Sequence, residues 1–237
     1  MQVGRYKGGR LKEKNFTSSI VWHVDCHVHT EYSADGMVPL TKIVDLCRSR
    51  GLNGIAVTDH NTIDGALKLQ ELAKNDLKVI VGEEIKTIDG EVTGLFLRQH
   101  ISSGKTVEET VQLIKQQDGL VCIPHPFCRF RRSKLKFEAM LRIIDQVDIV
   151  EIFNSRTLMS KDNDLAKQFA LDNKKGMVAG SDAHLGYEYG QSYTKIRSFA
   201  DAREFMINLR SSEIVSQRSP LWVHFVTKAK RLVTSGR

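Results

Sequence analysis

The sequence has little proline and lacks long apolar runs. Only 4 of its 237 residues are proline, and 41% are hydrophobic. We find no segment near the roughly 18 consecutive apolar residues that a membrane-spanning helix requires. The basic N-terminus lacks the apolar core and small-residue cleavage site of a secretion signal. These absences predict a single globular protein of the cytoplasm.

Cysteine is also scarce, and its spacing excludes several site types. The chain has no C-x-x-C pair and no regular cysteine framework, which argues against structural zinc ribbons and against disulfide scaffolds. Such thiols are typical of a reducing compartment, where they are buried or lie near a site. Alternation along a strand points Cys26 away from its neighbours His27 and His29, so we expect Cys26 to pack rather than react. The cysteines are Cys26, Cys47, Cys122 and Cys128.

Negative charge is in the minority. The formal net charge is +7 and the pI is about 9.2, and three clusters carry the excess at residues 5–14, 129–136 and 228–237. These clusters can be ordinary solvated surface. They can also attract an anionic substrate or a nucleic acid, so nucleic acid is a possible partner through them.

The apolar pattern alternates between short β-prone runs and helical periods, about seven times along the chain. This alternation predicts parallel strands joined by right-handed helical crossovers. Three regions follow. We predict a flexible basic arm at residues 1–20, an α/β barrel at residues 21–210, and a basic extension at residues 211–237. The extension contains an amphipathic segment, which we expect to dock on the barrel; a membrane surface, RNA or a partner protein are the other candidates.

Histidines and carboxylates concentrate at the C-terminal ends of the predicted strands. In α/β folds that edge is where sites form, and contributions from at least six successive strands indicate a closed ring rather than an open sheet. Imidazole together with carboxylate suits zinc, manganese or iron. The set is too large for one tetrahedral ion, so two or three divalent metal ions with a bridging carboxylate are predicted. The candidate ligands are His27, His29, Asp35, His60, Glu84, His125, Asp182 and His184.

Five segments of the chain resemble, in order, the motifs of the PHP (polymerase and histidinol phosphatase) family. They are His27-Val28-His29 with Asp35-Gly36, Thr58-Asp59-His60, Gly82-Glu83-Glu84, Pro124-His125-Pro126, and Gly180-Ser181-Asp182-Ala183-His184. The resemblance spans residues 22–197. It implies a distorted seven-stranded (β/α) barrel of the PHP type, with a metal site at the C-terminal strand ends that cleaves phosphate esters.

The resemblance also implies how the metal ions are held. The first ion would be held by His27, His29, Glu84 and Asp182, and the second by Asp35, His60 and His184. The third would share Glu84 with the first and add His125.

Family members often carry a histidine where this chain has Glu91. A carboxylate at that position favours manganese or magnesium over zinc.

The predicted reaction is phosphoester hydrolysis by attack of a hydroxide bound to the metal ions. Asp35, His60 and His184 are the predicted catalytic residues. Arg129, Arg131 and Asn154 are the predicted substrate contacts, because guanidinium groups suit phosphate and Asn154 ends a strand. The resemblance implies a small stand-alone phosphoesterase acting on a phosphorylated metabolite, a nucleotide or a short oligonucleotide. The interval between Glu84 and His125 is too short for a large cap, so the mouth should be open.

Two other function classes remain open. The same metals could activate water against an amide or a lactone, although the arginines at the mouth argue against a neutral substrate. A non-catalytic module that binds metal or nucleic acid is the other alternative. Such a module is expected to have a broken ligand set, whereas this set is nearly complete.

Overall fold

The structure, a computed structural model, describes residues 20–235 as alternating strands and helices. The strands are β1 Val21–Val28, β2 Gly54–Val57, β3 Lys78–Thr87, β4 Gly90–Leu95, β5 Leu120–Ile123, β6 Ile149–Asn154, β7 Gly176–Gly180, β8 Tyr193–Arg197 and β9 Glu213–Val215. The helices are α1 Leu40–Ser49, α2 Asp64–Ala73, α3 Val107–Lys115, α4 Phe137–Ile143, α5 Ser160–Asp172, α6 Ala202–Leu209 and α7 Trp222–Ser235. A short 3-10 helix, Ile144–Gln146, follows α4.

The strands form one sheet that curls into a nearly closed barrel. Its order is β7-β6-β5-β4-β3-β2-β1-β8-β9. At the C-terminal end of β1 the ring closes on the segment after β7, where the amide of Asp182 donates to the carbonyl of His27 at 2.8 Å and that of His29 to Ala183 at 2.8 Å. The predicted barrel with seven strands in its ring is confirmed, and closure occurs where the candidate ligands lie.

Two features depart from a regular alternation of parallel strands. Strand β4 is antiparallel to both of its neighbours, β3 and β5, because the turn at Asp89-Gly90 returns the chain directly without a helical crossover. Strands β8 and β9 extend the sheet beyond β1 in antiparallel fashion. Strand β9 was not predicted, since three residues are too few to show an alternating pattern.

The core has two layers, as expected for a sheet covered by helices. On β2, Ile55 and Val57 belong to the large cluster that includes Ile43 of α1 and Leu69 of α2, so they face outward. Ala56 alternates to the other face and belongs to the second cluster with Phe205 of α6. Strand alternation therefore separates an outer helical layer from an inner core beneath the site.

Helix α7 contacts the barrel through its buried side chains. Val223 is fully buried and Thr227 is buried, while Lys230 Nζ donates to the carbonyl of Gly36, which follows Asp35. The N-terminal arm, except for Ile20, and the end of the C-terminal basic cluster lie outside the described residues. The division into arm, barrel and extension stays a prediction.

A helix that crosses a membrane has to be long and apolar. Among the helices of residues 20–235, none combines the length and the apolar character needed to cross a bilayer.

Two leucines of α2 test this layering. Leu69 is fully buried, whereas Leu72, three residues further on, is 54% exposed. We expect Leu69→Ala to lower the free energy of unfolding by about 2–5 kcal/mol, because it leaves a cavity in the core. Leu72→Ala, with the same chemical change, should stay within about 0.5 kcal/mol of the parent. Urea titration measures both, and equal losses would contradict the assigned helix face.

Candidate metal centre

Irregular backbone at the strand ends turns the candidate ligands into one pocket. The register of β1 shifts between Asp25 and Val28, and bulges of this kind re-aim side chains next to active sites. His125 and Asp182 have φ angles of 30° and 54°, a conformation that residues other than glycine rarely adopt. Such strain persists where surrounding contacts enforce it, and it is frequent at functional sites.

Close approach of β7 to β1 depends on a glycine. A Cβ atom on Gly180 would lie 2.3 Å from Cβ of His27 and 2.6 Å from Oε1 of Glu151. Only a residue without a side chain therefore permits this contact between strands. It brings Asp182 next to the histidines of β1.

Glu84 lies at the centre of the pocket. Its Oε2 is 3.6 Å from Nε2 of His27 and 3.5 Å from Nε2 of His29, and 3.2 Å from Nδ1 of His60. Its Oε1 is 2.8 Å from Nε2 of His125. Oε2 makes no hydrogen bond to any described residue although the carboxylate is fully buried. Buried carboxylate oxygens normally have a hydrogen-bond partner. A metal ion bound to Oε2 of Glu84 would satisfy this one.

A second group of side chains adjoins this carboxylate. Nε2 of His184 is 3.1 Å from Oδ2 of Asp35, and Nε2 of His60 is 3.8 Å from Oδ1 of Asp35. His29, His60 and His184 each offer one ring nitrogen, and these three atoms lie within 4.8 Å of one another. The structure thus brings together all eight of the predicted ligands.

The groupings by distance overlap, as expected for more than one ion. Besides the histidine trio, three sets each offer atoms within 4.8 Å of one another. Glu91, which stands where the family often has histidine, joins one of them. The sets are His27 with His125 and Asp182, His27 with His29 and Glu84, and His60 with Glu84 and Glu91. These mixed His, Asp and Glu sets suit divalent transition metals.

Hydrogen bonds hold the imidazole rings in one orientation. Nδ1 of His27 lies 3.1 Å from Oε1 of Glu151, and Nδ1 of His184 lies 2.8 Å from the carbonyl of Asp182. These partners are hydrogen-bond acceptors, so Nδ1 carries a hydrogen in both rings, and Nε2 is the atom left to bind a metal ion once it carries no proton. Metal-binding histidines are oriented in the same way. Nε2 of His27 and Nε2 of His29 are 3.1 Å apart, close enough for both rings to bind one cation.

The histidines differ in their proton affinity. Burial lowers the pKa of His29, and the neighbouring His184 lowers it further. Burial and the nearby His29 likewise lower the pKa of His60. Both rings are therefore neutral near pH 7 and able to bind metal. Burial opposes the charged form of His27 too, but the carboxylates of Glu151 and Glu84 outweigh it and raise its pKa well above the usual value.

The carboxylates are ionised. Burial alone would raise the pKa of Asp182, but Arg131 and His27 reverse this and hold it well below its usual range. Burial is likewise outweighed at Glu84, where His27 and a hydrogen bond from His125 lower the pKa. At Asp35 too, burial would raise the pKa, but the contact with His184 outweighs it and lowers the pKa of this carboxyl. The pocket therefore holds concentrated negative charge, which favours multivalent cations.

Glu151 and Asn154 of β6 support the ligands from behind. Glu151 accepts from the amide of His125 at 2.7 Å as well as lying against His27. Asn154 Nδ2 donates to Oδ2 of Asp182 at 3.2 Å. Asn154, predicted as a substrate contact, is fully buried among these groups, so its observed contact is with a candidate ligand. Any contact with substrate stays a prediction.

The loop after β5 places its arginines differently. The guanidinium of Arg131 contacts Oδ2 of Asp182, and its Nη1 lies 3.0 Å from Nε2 of His125. That of Arg129 pairs with Asp162 on α5, with Nη2 to Oδ1 at 2.7 Å. Arg131 thus lies inside the candidate site. Arg129 is exposed and anchors the loop, and a role for it on substrate stays a prediction.

A cleft of about 530 Å³ opens beside the metal-binding groups. Its walls come from the loop after β5, the segments after β6 and β7, and helix α7. Four of its lining residues are arginine or lysine, and none is acidic. The lining consists of Cys128, Phe130, Arg131, Arg132, Ser133, Arg156, Leu158, His184, His224, Thr227 and Lys228.

Sequence reasoning missed one buried ion pair in this region. Nε of Arg156 donates to Oε1 of Glu188 at 2.7 Å, and both side chains are buried. Glu188 also accepts from the amide of His184 at 3.1 Å. The pair therefore fixes the loop that carries a candidate ligand. The sequence signal for Arg156 was its position two residues after the end of β6, at the edge where sites form. Its partner Glu188 could not be inferred without the fold.

The cysteines are buried, as expected from their spacing. Among the described residues all four cysteines are free and buried. Burial raises the pKa of Cys47 to about 12 and that of Cys122 well above its usual value. A thiolate is therefore disfavoured at Cys47 and Cys122.

Comparison with known proteins agrees with this geometry. The family model of the PHP domain matches residues 25–204. An uncharacterised protein of Methanocaldococcus jannaschii, MJ0417, is 30% identical over 210 residues, which cover 84% of each chain.

Solved structures share the fold at low identity. One is a two-domain protein of Bacteroides vulgatus described as containing a predicted PHP-like metal-dependent phosphoesterase; it has a TM-score of 0.70 and 17% identity, with 96% of this chain and 75% of that one covered. Another is an amidohydrolase of Chromobacterium violaceum, crystallised with sulfate and no metal. Its TM-score is 0.57 at 14% identity, covering 87% of this chain and 96% of that one.

Replacing Glu151 tests its support of the ligands. We expect Glu151→Gln to weaken the binding of manganese or zinc by about 10–100-fold, because the acceptor for His27 Nδ1 is weakened. Competition with a chromophoric chelator measures the affinity. Glu138→Gln, an exposed change on α4, serves as the control. Equal affinities for the two variants would remove Glu151 from this role.

Proton release provides a second test. Because the pKa of His27 is raised, the metal-free ring carries a proton near pH 7, and binding metal must displace it. Titration calorimetry in buffers of different ionisation enthalpy should report release of about one proton from this ring. Affinity should fall as the pH is lowered. Heats that do not depend on the buffer would contradict the assignment.

Proposed function

The chain belongs to the PHP domain family, and we propose that it is a metal-dependent phosphoesterase. Its substrate is a small phosphorylated metabolite, a nucleotide or a short oligonucleotide. The observation that carries the proposal is the junction of two features. A buried set of imidazoles and carboxylates suited to divalent ions adjoins a cleft lined by Arg131, Arg132, Arg156 and Lys228. Metal ligands supply hydrolytic chemistry, and the cations select an anionic ester.

Two or three divalent ions, of zinc, manganese or iron, fit the donor set. Glu84 would bridge, with His27, His29, His125 and Asp182 around it. Asp35, His60 and His184 would hold the ion nearest the cleft, since His184 lines the cleft wall. Bound ions would polarise the phosphoryl oxygens and lower the pKa of a water molecule.

The chain's own groups would orient the ester. Arg131 contacts Asp182 and His125, which places its guanidinium group beside the metal-binding residues, where it can also donate a hydrogen bond to a phosphoryl oxygen. Asn154 keeps Asp182 in place through its amide. We assign Asp35, His60 and His184 to the catalytic set because His184 lines the cleft and both Asp35 and His60 lie next to it. Arg129 would contribute by anchoring the loop of Arg131 through Asp162.

Charge weighs against the alternative functions. An amide or lactone hydrolase with a neutral substrate gains nothing from Arg132 and Lys228, which line the cleft without a carboxylate partner among the described residues. A module that only binds metal would not need such a cleft next to its ions. The basic loop at the mouth leaves nucleic acid as a possible substrate or partner.

Asp182→Asn tests the function without altering the backbone. Asparagine tolerates the left-handed conformation that Asp182 adopts at φ 54°, but it lacks the charge that a metal ligand requires. We expect metal content to drop and manganese-dependent hydrolysis of p-nitrophenyl phosphate or bis(p-nitrophenyl) phosphate to fall at least about a hundredfold.

The exposed Asp164 on α5 provides a matched control. Asp164→Asn should keep parental metal content and turnover. Retained turnover in Asp182→Asn at full metal loading would refute the proposed site.

A further inference from the structure

Helix α7 lies beyond the part of the chain that the family model matches, yet it forms a wall of the cleft. The match ends at residue 204, whereas His224, Thr227 and Lys228 of α7 line the cleft together with His184. The helix is held there on both sides. Arg156 Nη2 donates to the carbonyl of Val223 at 3.4 Å, and at the other end Lys230 contacts Gly36.

The four cations of the cleft are not equivalent. Arg131 is paired with Asp182, and Arg156 with Glu188, so their charge is offset within the protein. Arg132 and Lys228 have no carboxylate partner within 4.0 Å among the described residues, and both are exposed. They come from different elements, the loop after β5 and helix α7. Both line the same space.

We propose that Lys228 of α7, together with Arg132, forms a subsite for a second negative charge on the substrate. The inference rests on the proposed function. With the scissile phosphate at the metal-binding groups and Arg131, the leaving group extends into the cleft. A carboxylate or phosphate on it meets the two unpaired cations. The substrate class is thus a phosphate ester whose leaving group is itself anionic.

The geometry of the cleft supports this reading over a general attraction of anions. Its volume, about 530 Å³, is in the range of small-molecule sites. Arg132 and Lys228 both line this cleft, so an anion inside it is attracted by two positive charges that no carboxylate of the described residues offsets. A substrate with a single phosphate, bound at the metal-binding groups, would leave both charges unpaired.

Lys228→Met tests the subsite, because it removes the charge and nearly keeps the side-chain length. The probes are two esters, p-tolyl phosphate and p-carboxyphenyl phosphate, which differ by a methyl against a carboxylate. We expect KM for the carboxylated ester to rise about fivefold, the upper range for an exposed ion pair. The KM for the tolyl ester should stay within about twofold. Each ester is compared with itself in two proteins, so differences in leaving-group reactivity cancel.

Lys167→Met, at an exposed lysine of α5 outside the cleft, is the control and should leave both KM values unchanged. Equal changes for both esters in Lys228→Met, or no change in either, would overturn the subsite.

Binding separates this proposal from the catalytic one. The corresponding p-tolylphosphonate and p-carboxyphenylphosphonate cannot be hydrolysed, and calorimetry with the manganese-loaded protein measures their affinities. A preference for the carboxylated compound that disappears in Lys228→Met would support the subsite even if no ester were turned over. The absence of that preference in the parent protein would refute the subsite, whatever the activity.

Discussion

The buried carboxylate of Glu84 is the constraint on which the rest of the site depends. A fully buried charge is costly unless it is compensated, and four imidazoles from β1 and from the loops after β2 and β5 surround this one. Bringing them together requires the ring to close between β1 and β7, which in turn requires Gly180. Fold and site are therefore one arrangement, and the same concentration of charge is what divalent ions would neutralise.

Much of this arrangement could be predicted from the sequence. The side chains at strand ends share one edge of the barrel because parallel strands end there, so His60, His125 and His184 were foreseeable. The two-residue period of strands placed His27 and His29 on one face. The same period directs the neighbouring carboxylates of Glu83 and Glu84 to opposite faces. Glu84 lies in the pocket, whereas Oε1 of Glu83 forms a hydrogen bond with Nδ1 of His100 at 2.8 Å on the other face.

What the sequence could not provide depends on contacts between distant segments. Arg129 and Arg131 are two residues apart, and only the position of α5 decides that Arg129 pairs with Asp162 while Arg131 reaches Asp182. The Arg156–Glu188 pair and the approach of α7 to the cleft are of the same kind. An amphipathic period shows that a helix has an apolar face, but not which surface that face covers.

We propose that divalent ions held by the Glu84 cluster hydrolyse phosphate esters. Elemental analysis of gently purified protein tests this proposal when hydrolysis of p-nitrophenyl phosphate and bis(p-nitrophenyl) phosphate is assayed in the same sample, with and without added manganese. We expect two or three ions per chain and turnover that disappears with a chelator and returns with metal. A chain that takes up no metal and cleaves neither ester would contradict it.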